Sequence, residues 1–189
     1  MTRLYFLSNN PKNETHWFLP NMPRVLIVAY GNPLRCDDGV AWRAADALEA
    51  KFPRTEVEIV RLHQLAPEVA ETASHFPSVI FIDSAFPEEE QIEPGQIQVE
   101  EILPENNSRS DASRFSHELS PQTVIALATK LYDAHLRSYL VTVKGDNFEH
   151  GDSLSPVVSA ALPSLTSRIE TLVQALLSPD SPPAHPDKP

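Results

Sequence analysis

A single cysteine, Cys36, in a chain of 189 residues cannot close an intramolecular disulfide, so a reducing cytoplasm is the expected setting. No uninterrupted apolar run approaches the roughly 20 residues that span a bilayer. The first residues, Met1 to Asn10, hold only a short apolar patch before polar ones, so neither a membrane anchor nor a secretory signal is expected. Positive charge is scarce as well. Fifteen Lys and Arg against 26 Asp and Glu leave a net charge of −11, which argues against a nucleic-acid partner, since such surfaces carry basic patches. Acidity suits the collection of metal cations, although in most proteins it only maintains solubility. Three catalytic or binding signatures are missing: a His-Glu-x-x-His zinc-protease motif, a Gly-x-Ser-x-Gly nucleophile elbow and a glycine-rich phosphate cradle. There is no internal repeat.

What is present reads as one α/β unit. The hydrophobic fraction of 41% is ordinary for a globular chain. Residues 1–22 are polar and aperiodic and form an N-terminal extension; 178–189 are proline-rich and expected to be disordered. The intervening residues 23–177 suffice for a single domain. Within them, strand and helix signals alternate. Strands are expected at Val25–Tyr30, Val57–Arg61, Val79–Ile82, Gln96–Glu100 and Ser138–Val143, and the alternating pattern of the fourth suits a sheet edge. Helices are expected after Asp38, from Pro67 to Phe76, from Ser120-Pro121 and from Ser155-Pro156 to Leu177. Ser120 stands in the capping position with Pro121 behind it. The polar stretch from Pro104 to Arg114 reads as a mobile loop. The fold class is a three-layer α/β/α domain with a mainly parallel twisted sheet of about five strands.

The chain is organised around Val25-Leu26-Ile27-Val28-Ala29-Tyr30-Gly31-Asn32-Pro33-Leu34-Arg35-Cys36-Asp37-Asp38-Gly39. A buried strand breaks at a tight loop and delivers two adjacent carboxylates to the start of a helix. Asp37 is a candidate N-cap there. Ligands of parallel α/β sheets bind beyond the carboxyl ends of the strands. Asp37 and Asp38 follow the first strand, Asp83 terminates the third, and His117 lies in the loop before a helix. Two carboxylates and an imidazole can form a partial shell for a divalent cation, and that donor set does not choose among zinc, nickel, manganese and iron. Taken singly, each has an ordinary explanation: Asp38 as a helix-start residue, Asp83 as a strand terminus, His117 as a loop histidine. His63 is read as a supporting or structural residue. His75 and His135 carry no motif, and Cys36 has no partner base at a recognisable spacing.

Gly31-Asn32-x-Leu34-x-x-Asp37-Asp38-Gly39 resembles the N-terminal signature of the nickel-iron hydrogenase maturation endopeptidases. The resemblance continues in order over roughly residues 24–177. It includes His63-Gln64-Leu65-Ala66-Pro67-Glu68, Ile80-Phe81-Ile82-Asp83-Ser84-Ala85, Ser116-His117-Glu118-Leu119-Ser120-Pro121, Leu140-Val141-Thr142-Val143-Lys144-Gly145 and Leu154-Ser155-Pro156. Where the family often carries a second glycine after the acidic pair, this chain has Ala41.

The resemblance implies a cytoplasmic, metal-dependent endopeptidase of the aspartic type. Its partner is the precursor of a hydrogenase large subunit, whose C-terminal extension it removes once nickel is in place. Nickel belongs to that precursor and serves as the recognition element. Carried over by motif, the metal-contacting and catalytic residues are Asp38, Asp83 and His117. Two other readings share the same fold: a protein that binds the precursor without cutting it, and a metal hydrolase acting on a small molecule.

Overall fold

The β-branched run after Arg24 becomes strand β1 (Val25–Tyr30), whose first five residues are wholly inaccessible to solvent. Burial of both faces is what a continuous apolar run permits, and in the computed structural model of the chain β1 has neighbours on both sides. The structure describes residues 23–86, 93–103 and 119–178. After β1 come helix α1 (Val40–Glu49), strand β2 (Val57–Leu62), helix α2 (Val69–Ser74), strand β3 (Ser78–Ala85), strand β4 (Ile97–Ile102), helix α3 (Pro121–Tyr132), strand β5 (Arg137–Lys144) and helix α4 (Pro156–Leu177). The strands lie in the order β2-β1-β3-β5-β4. All pairings are parallel except β4 with β5, which is antiparallel and places β4 at the edge. This is the three-layer, mainly parallel, five-stranded architecture expected from the sequence.

The two faces of the sheet follow from the period-two alternation of strand side chains. Val25, Ile27 and Ala29 of β1 and Ile80 and Ile82 of β3 point to one side, against Val40, Ala44 and Leu48 of α1 and Leu165, Ile169 and Val173 of α4. Leu26 and Val28 with Val79 and Phe81 point to the other, against α2 and α3. Ala41, at the position where the resembled family often has glycine, is completely buried in the first of these cores. A small side chain is what that contact between helix and sheet accommodates.

Helix starts are built as their sequences indicate. Ser120 and Ser155 each accept a bond from the backbone N–H three residues on, with proline in the first helical position. Arg24 donates to the carbonyl of Leu177 at 2.8 Å, so the residue before β1 satisfies the end of α4. Among the described residues, no helix is long and apolar enough to cross a membrane.

Several boundaries differ from expectation by a residue or two, those of β4 at Ile97–Ile102, of α2 and of β3 among them. The helix expected over Pro67–Phe76 is only Val69–Ser74. Pro67 and Glu68 form the turn before it, with Ala70 N–H bonded to the Pro67 carbonyl at 3.0 Å, the three-residue spacing of a tight turn. Strand β3 does not end at Asp83 but runs two residues further. The β5 ladder continues opposite it, through Asp83 with Thr142 and Ala85 with Lys144, and thereby holds Asp83 and Ser84 in extended backbone. The expected extension 1–22, the loop 104–114 and the tail beyond Ser178 lie outside the described residues.

Candidate active site at the carboxyl ends of β1 and β3

In the strand order, β1 has β2 on one side and β3 on the other, so the β1–β2 and β2–β3 connections run in opposite directions along the sheet. Such a reversal opens a crevice beyond the strand ends, where α/β proteins place ligands. The chain enters that region at Gly31, whose amide is bonded to the Leu62 carbonyl at 3.0 Å. Gly31 has φ +134°, and a Cβ there would stand 2.2 Å from the Asp38 carbonyl oxygen. Only glycine allows the strand end and the acidic pair to approach so closely. The Asn32 side chain accepts the Leu34 amide at 3.0 Å, fixing the turn, and a short 3-10 turn over Cys36–Gly39 then delivers both aspartates.

The two adjacent carboxylates meet different surroundings. Asp37 is wholly buried. It accepts the amides of Asp146 and Asn147 on one oxygen, both at 2.9 Å, and that of Ser155 on the other at 2.7 Å. Burial pushes its carboxyl up, but these backbone amides and the Ser155 hydroxyl outweigh it and hold the group below the ordinary carboxylate range. The expected capping role is corrected by this geometry. The residue before α1 is Gly39, with no side-chain cap, while Asp37 ties the 31–39 loop to the segment between β5 and α4. Further bonds join the same two loops, including Cys36 N–H to the Gly151 carbonyl at 2.8 Å and Gly151 N–H to Leu34 at 2.9 Å.

Asp38 is half-buried. One of its carboxylate oxygens accepts the Asn32 amide at 2.9 Å and the other accepts the Ser84 hydroxyl at 3.2 Å. Ser84 also donates its backbone N–H to an Asp83 carboxylate oxygen at 2.7 Å. Asp38 and Asp83 are thus linked through one residue, across 45 positions of sequence, at the end of the sheet where ligands bind. A carboxylate oxygen has two lone pairs, so one accepted hydrogen bond on each Asp38 oxygen leaves that group able to engage a cation or a substrate donor.

Of the three residues selected from the sequence, the structure brings these two together; His117 lies outside the described residues. Among the described residues, no three His, Cys, Asp or Glu side chains form a group able to hold a metal ion. Hard oxygen donors suit a divalent cation, and a pair of them accounts for part of a shell. Among the described residues, no other histidine supplies a third ligand. His63 is exposed and packs its ring 5.3 Å from that of Trp42, whose indole N–H donates to the Leu62 carbonyl at 3.2 Å. His75 and His135 are exposed at helix ends. Cys36 is buried beneath Gly151, where a Cβ would stand 2.9 Å from its sulfur, and so packs rather than faces the crevice.

Ser84 was not among the residues singled out from the sequence. A signal for it exists in the alternation: continuing β3 by two residues puts Ser84 on the face of Ile80 and Ile82, which α1 covers and from which Asp38 approaches. At the rim, Phe86 just after β3 stacks on Phe148 with ring centroids 4.3 Å apart.

The fold and this site define a class: layered α/β proteins with a carboxylate pair at the switch point of a mainly parallel sheet. No protein-family model and no curated protein matches the chain. Solved structures do. The hydrogenase maturating endopeptidase HybD from E. coli is 20% identical over 80% of this chain and 92% of its own, with a TM-score of 0.58. The [NiFe] hydrogenase maturation protease HycI from Thermococcus kodakarensis is 17% identical over 80% and 92%, with a TM-score of 0.63. A hydrogenase 2 maturation peptidase from a Thaumarchaeota archaeon is 21% identical over 80% and 98%, with a TM-score of 0.57. At these identities the likeness is one of fold: this chain has the fold of the hydrogenase maturation endopeptidases.

Proposed function

We infer that this protein is an endopeptidase that removes the C-terminal extension from the precursor of a nickel-iron hydrogenase large subunit. One observation carries the reading. The fold is that of proteins named hydrogenase maturation proteases, and at its switch point Asp38 and Asp83, the two acidic residues matching that family's motifs, are joined through Ser84.

Nickel enters this reading as part of the substrate, already seated in the precursor. Asp38 and Asp83, with His117, would supply the oxygen and nitrogen donors that recognise it. A cation at that position supplies Lewis acidity toward a carbonyl or a bound water. The chain's own contribution is orientation. Asp38 is fixed at both oxygens, one by the Asn32 amide and one by the Ser84 hydroxyl, so the carboxylate is set before substrate arrives. A carboxylate so placed can accept a proton from the attacking water. Gly31 keeps the loop close enough to β3 for this arrangement to form. Dependence of cutting on nickel insertion follows, because the precursor would complete the recognition site.

The reading is tested by incubating the purified protein with large-subunit precursor prepared with and without nickel and following the precursor's mass. The expected outcome is loss of a C-terminal peptide only from the nickel-loaded form. Nickel-dependent association without any loss of mass would replace the protease by a precursor-binding protein.

A further inference from the structure

We propose that Ser84 is a positioning residue that sets the affinity of the Asp38–Asp83 pair for a divalent cation; this rests on the reading of those two carboxylates as the recognition site. Ser84 is 4% exposed, so its hydroxyl has almost no access to water. That hydroxyl donates to Asp38 at 3.2 Å, while the amide of the same residue donates to Asp83 at 2.7 Å. Among the described residues, Ser84 is thus hydrogen-bonded to both carboxylates.

The two anchors of Asp38 are unequal in reach. The Asn32 amide is local, six residues away within the same loop, and moves with it. Ser84 belongs to β3, which is hydrogen-bonded to β1 on one side and β5 on the other. Among the described residues, the serine hydroxyl alone therefore refers the Asp38 carboxylate to the sheet that carries Asp83. Removing it leaves the Asp83 bond in place, because that bond comes from the backbone. It frees Asp38 to turn about its side-chain torsions, and the entropy of fixing it must then be met on cation binding. A hydrogen bond to a ligating carboxylate is also part of what orients the ligand.

Ser138 provides a matched control. It is a buried serine on β5 whose hydroxyl donates to the Ile102 carbonyl at 2.9 Å, away from the carboxylate pair. The experiment is calorimetric titration of Ni2+ alone into the full-length wild type, Ser84→Ala, Ser138→Ala and Asp38→Ala. Thermal unfolding of each cation-free protein is measured alongside. The expected result is a dissociation constant raised about tenfold by Ser84→Ala, unchanged by Ser138→Ala and lost with Asp38→Ala, with the cation-free Tm of the two serine variants lowered alike. Ser84→Ala binding within twofold of wild type, while Asp38→Ala loses binding, would overturn the proposal and leave the reading of the carboxylates standing. Absence of nickel binding by the wild type would overturn the proposal too. The reading itself would then stand or fall by whether nickel-loaded precursor is still cut and Asp38→Ala still abolishes the cut.

Discussion

Asp37 and Asp38 are neighbours in sequence with the same side chain, yet one sits in a closed polar pocket and the other in an open crevice. The pocket around Asp37 uses both carboxylate oxygens on three backbone amides and excludes water. The crevice around Asp38 gives each oxygen one hydrogen bond and leaves the group half-buried. A carboxylate saturated by backbone donors is committed to holding loops together. A carboxylate oriented but not saturated retains capacity for chemistry. The 3-10 turn over Cys36–Gly39 produces this division by facing successive residues in different directions, Asp37 toward the segment before α4 and Asp38 toward β3.

The comparison can be broken most severely at Asp38. Asp38→Ala is expected to lower the rate of precursor cutting by about 10²–10³-fold, the scale of losing one preorganised transition-state contact. Its stability should fall by only about 1–2 kcal/mol, for the Asn32 and Ser84 bonds it gives up; single-turnover rates per folded molecule and Tm measured on the same preparation check both halves.

Next in size is Asp37→Asn, which sets an amide group against backbone donors in a buried site. It should destabilise the fold by about 2–4 kcal/mol at pH 7, since buried donors lose their acceptor. The sign of its pH dependence follows from the depressed pKa. A carboxyl held low in the folded state stabilises it above the unfolded-state value, near 3.9, and the contribution disappears as pH falls through the lower folded-state value. Urea unfolding at a series of pH values should therefore show wild type and Asp37→Asn converging in acid, with the gap restored toward neutrality.

Gly31→Ala tests whether the two environments depend on one close approach. A side chain at φ +134° and 2.2 Å from the Asp38 carbonyl forces the loop outward. The expected cost is about 1–3 kcal/mol, read from denaturant midpoints, together with reduced cutting. The smallest effect is Ser155→Ala, at about 1 kcal/mol. It removes the α4 cap and the hydroxyl near Asp37 but leaves the Ser155 amide bonded to Asp37, so chemical denaturation should show a modest loss and cutting should be retained.

Much of the architecture was legible in local sequence. Continuous β-branched runs marked β1 and β3, alternation marked β4 as an edge, and Ser-Pro pairs marked the starts of α3 and α4. These features are set by nearest-neighbour physics: burial of both strand faces, side-chain capping, a proline where no amide is needed. The role of Asp37 was not legible, because its partners lie 109 to 118 residues away and are backbone amides, which any sequence could supply. The length of β3 was hidden for a related reason. A polar Asp-Ser pair reads as a strand end until the β5 ladder is seen to continue beside it. Chemistry shortlisted the acidic pair and Asp83 and the motif selected Asp38 from the pair, whereas the serine that joins Asp38 to Asp83 required the strand register.

The most direct test of the account is a paired comparison of Asp37→Asn and Asp38→Asn, each assayed for cutting of nickel-loaded precursor at a temperature where both are folded. Rates are normalised to folded protein, and unfolding is followed in parallel. The account predicts that Asp38→Asn keeps the wild-type unfolding midpoint and loses cutting, while Asp37→Asn loses stability and keeps cutting within about tenfold per folded molecule. The reverse assignment, with Asp38→Asn active and Asp37→Asn stable but inert, would contradict it.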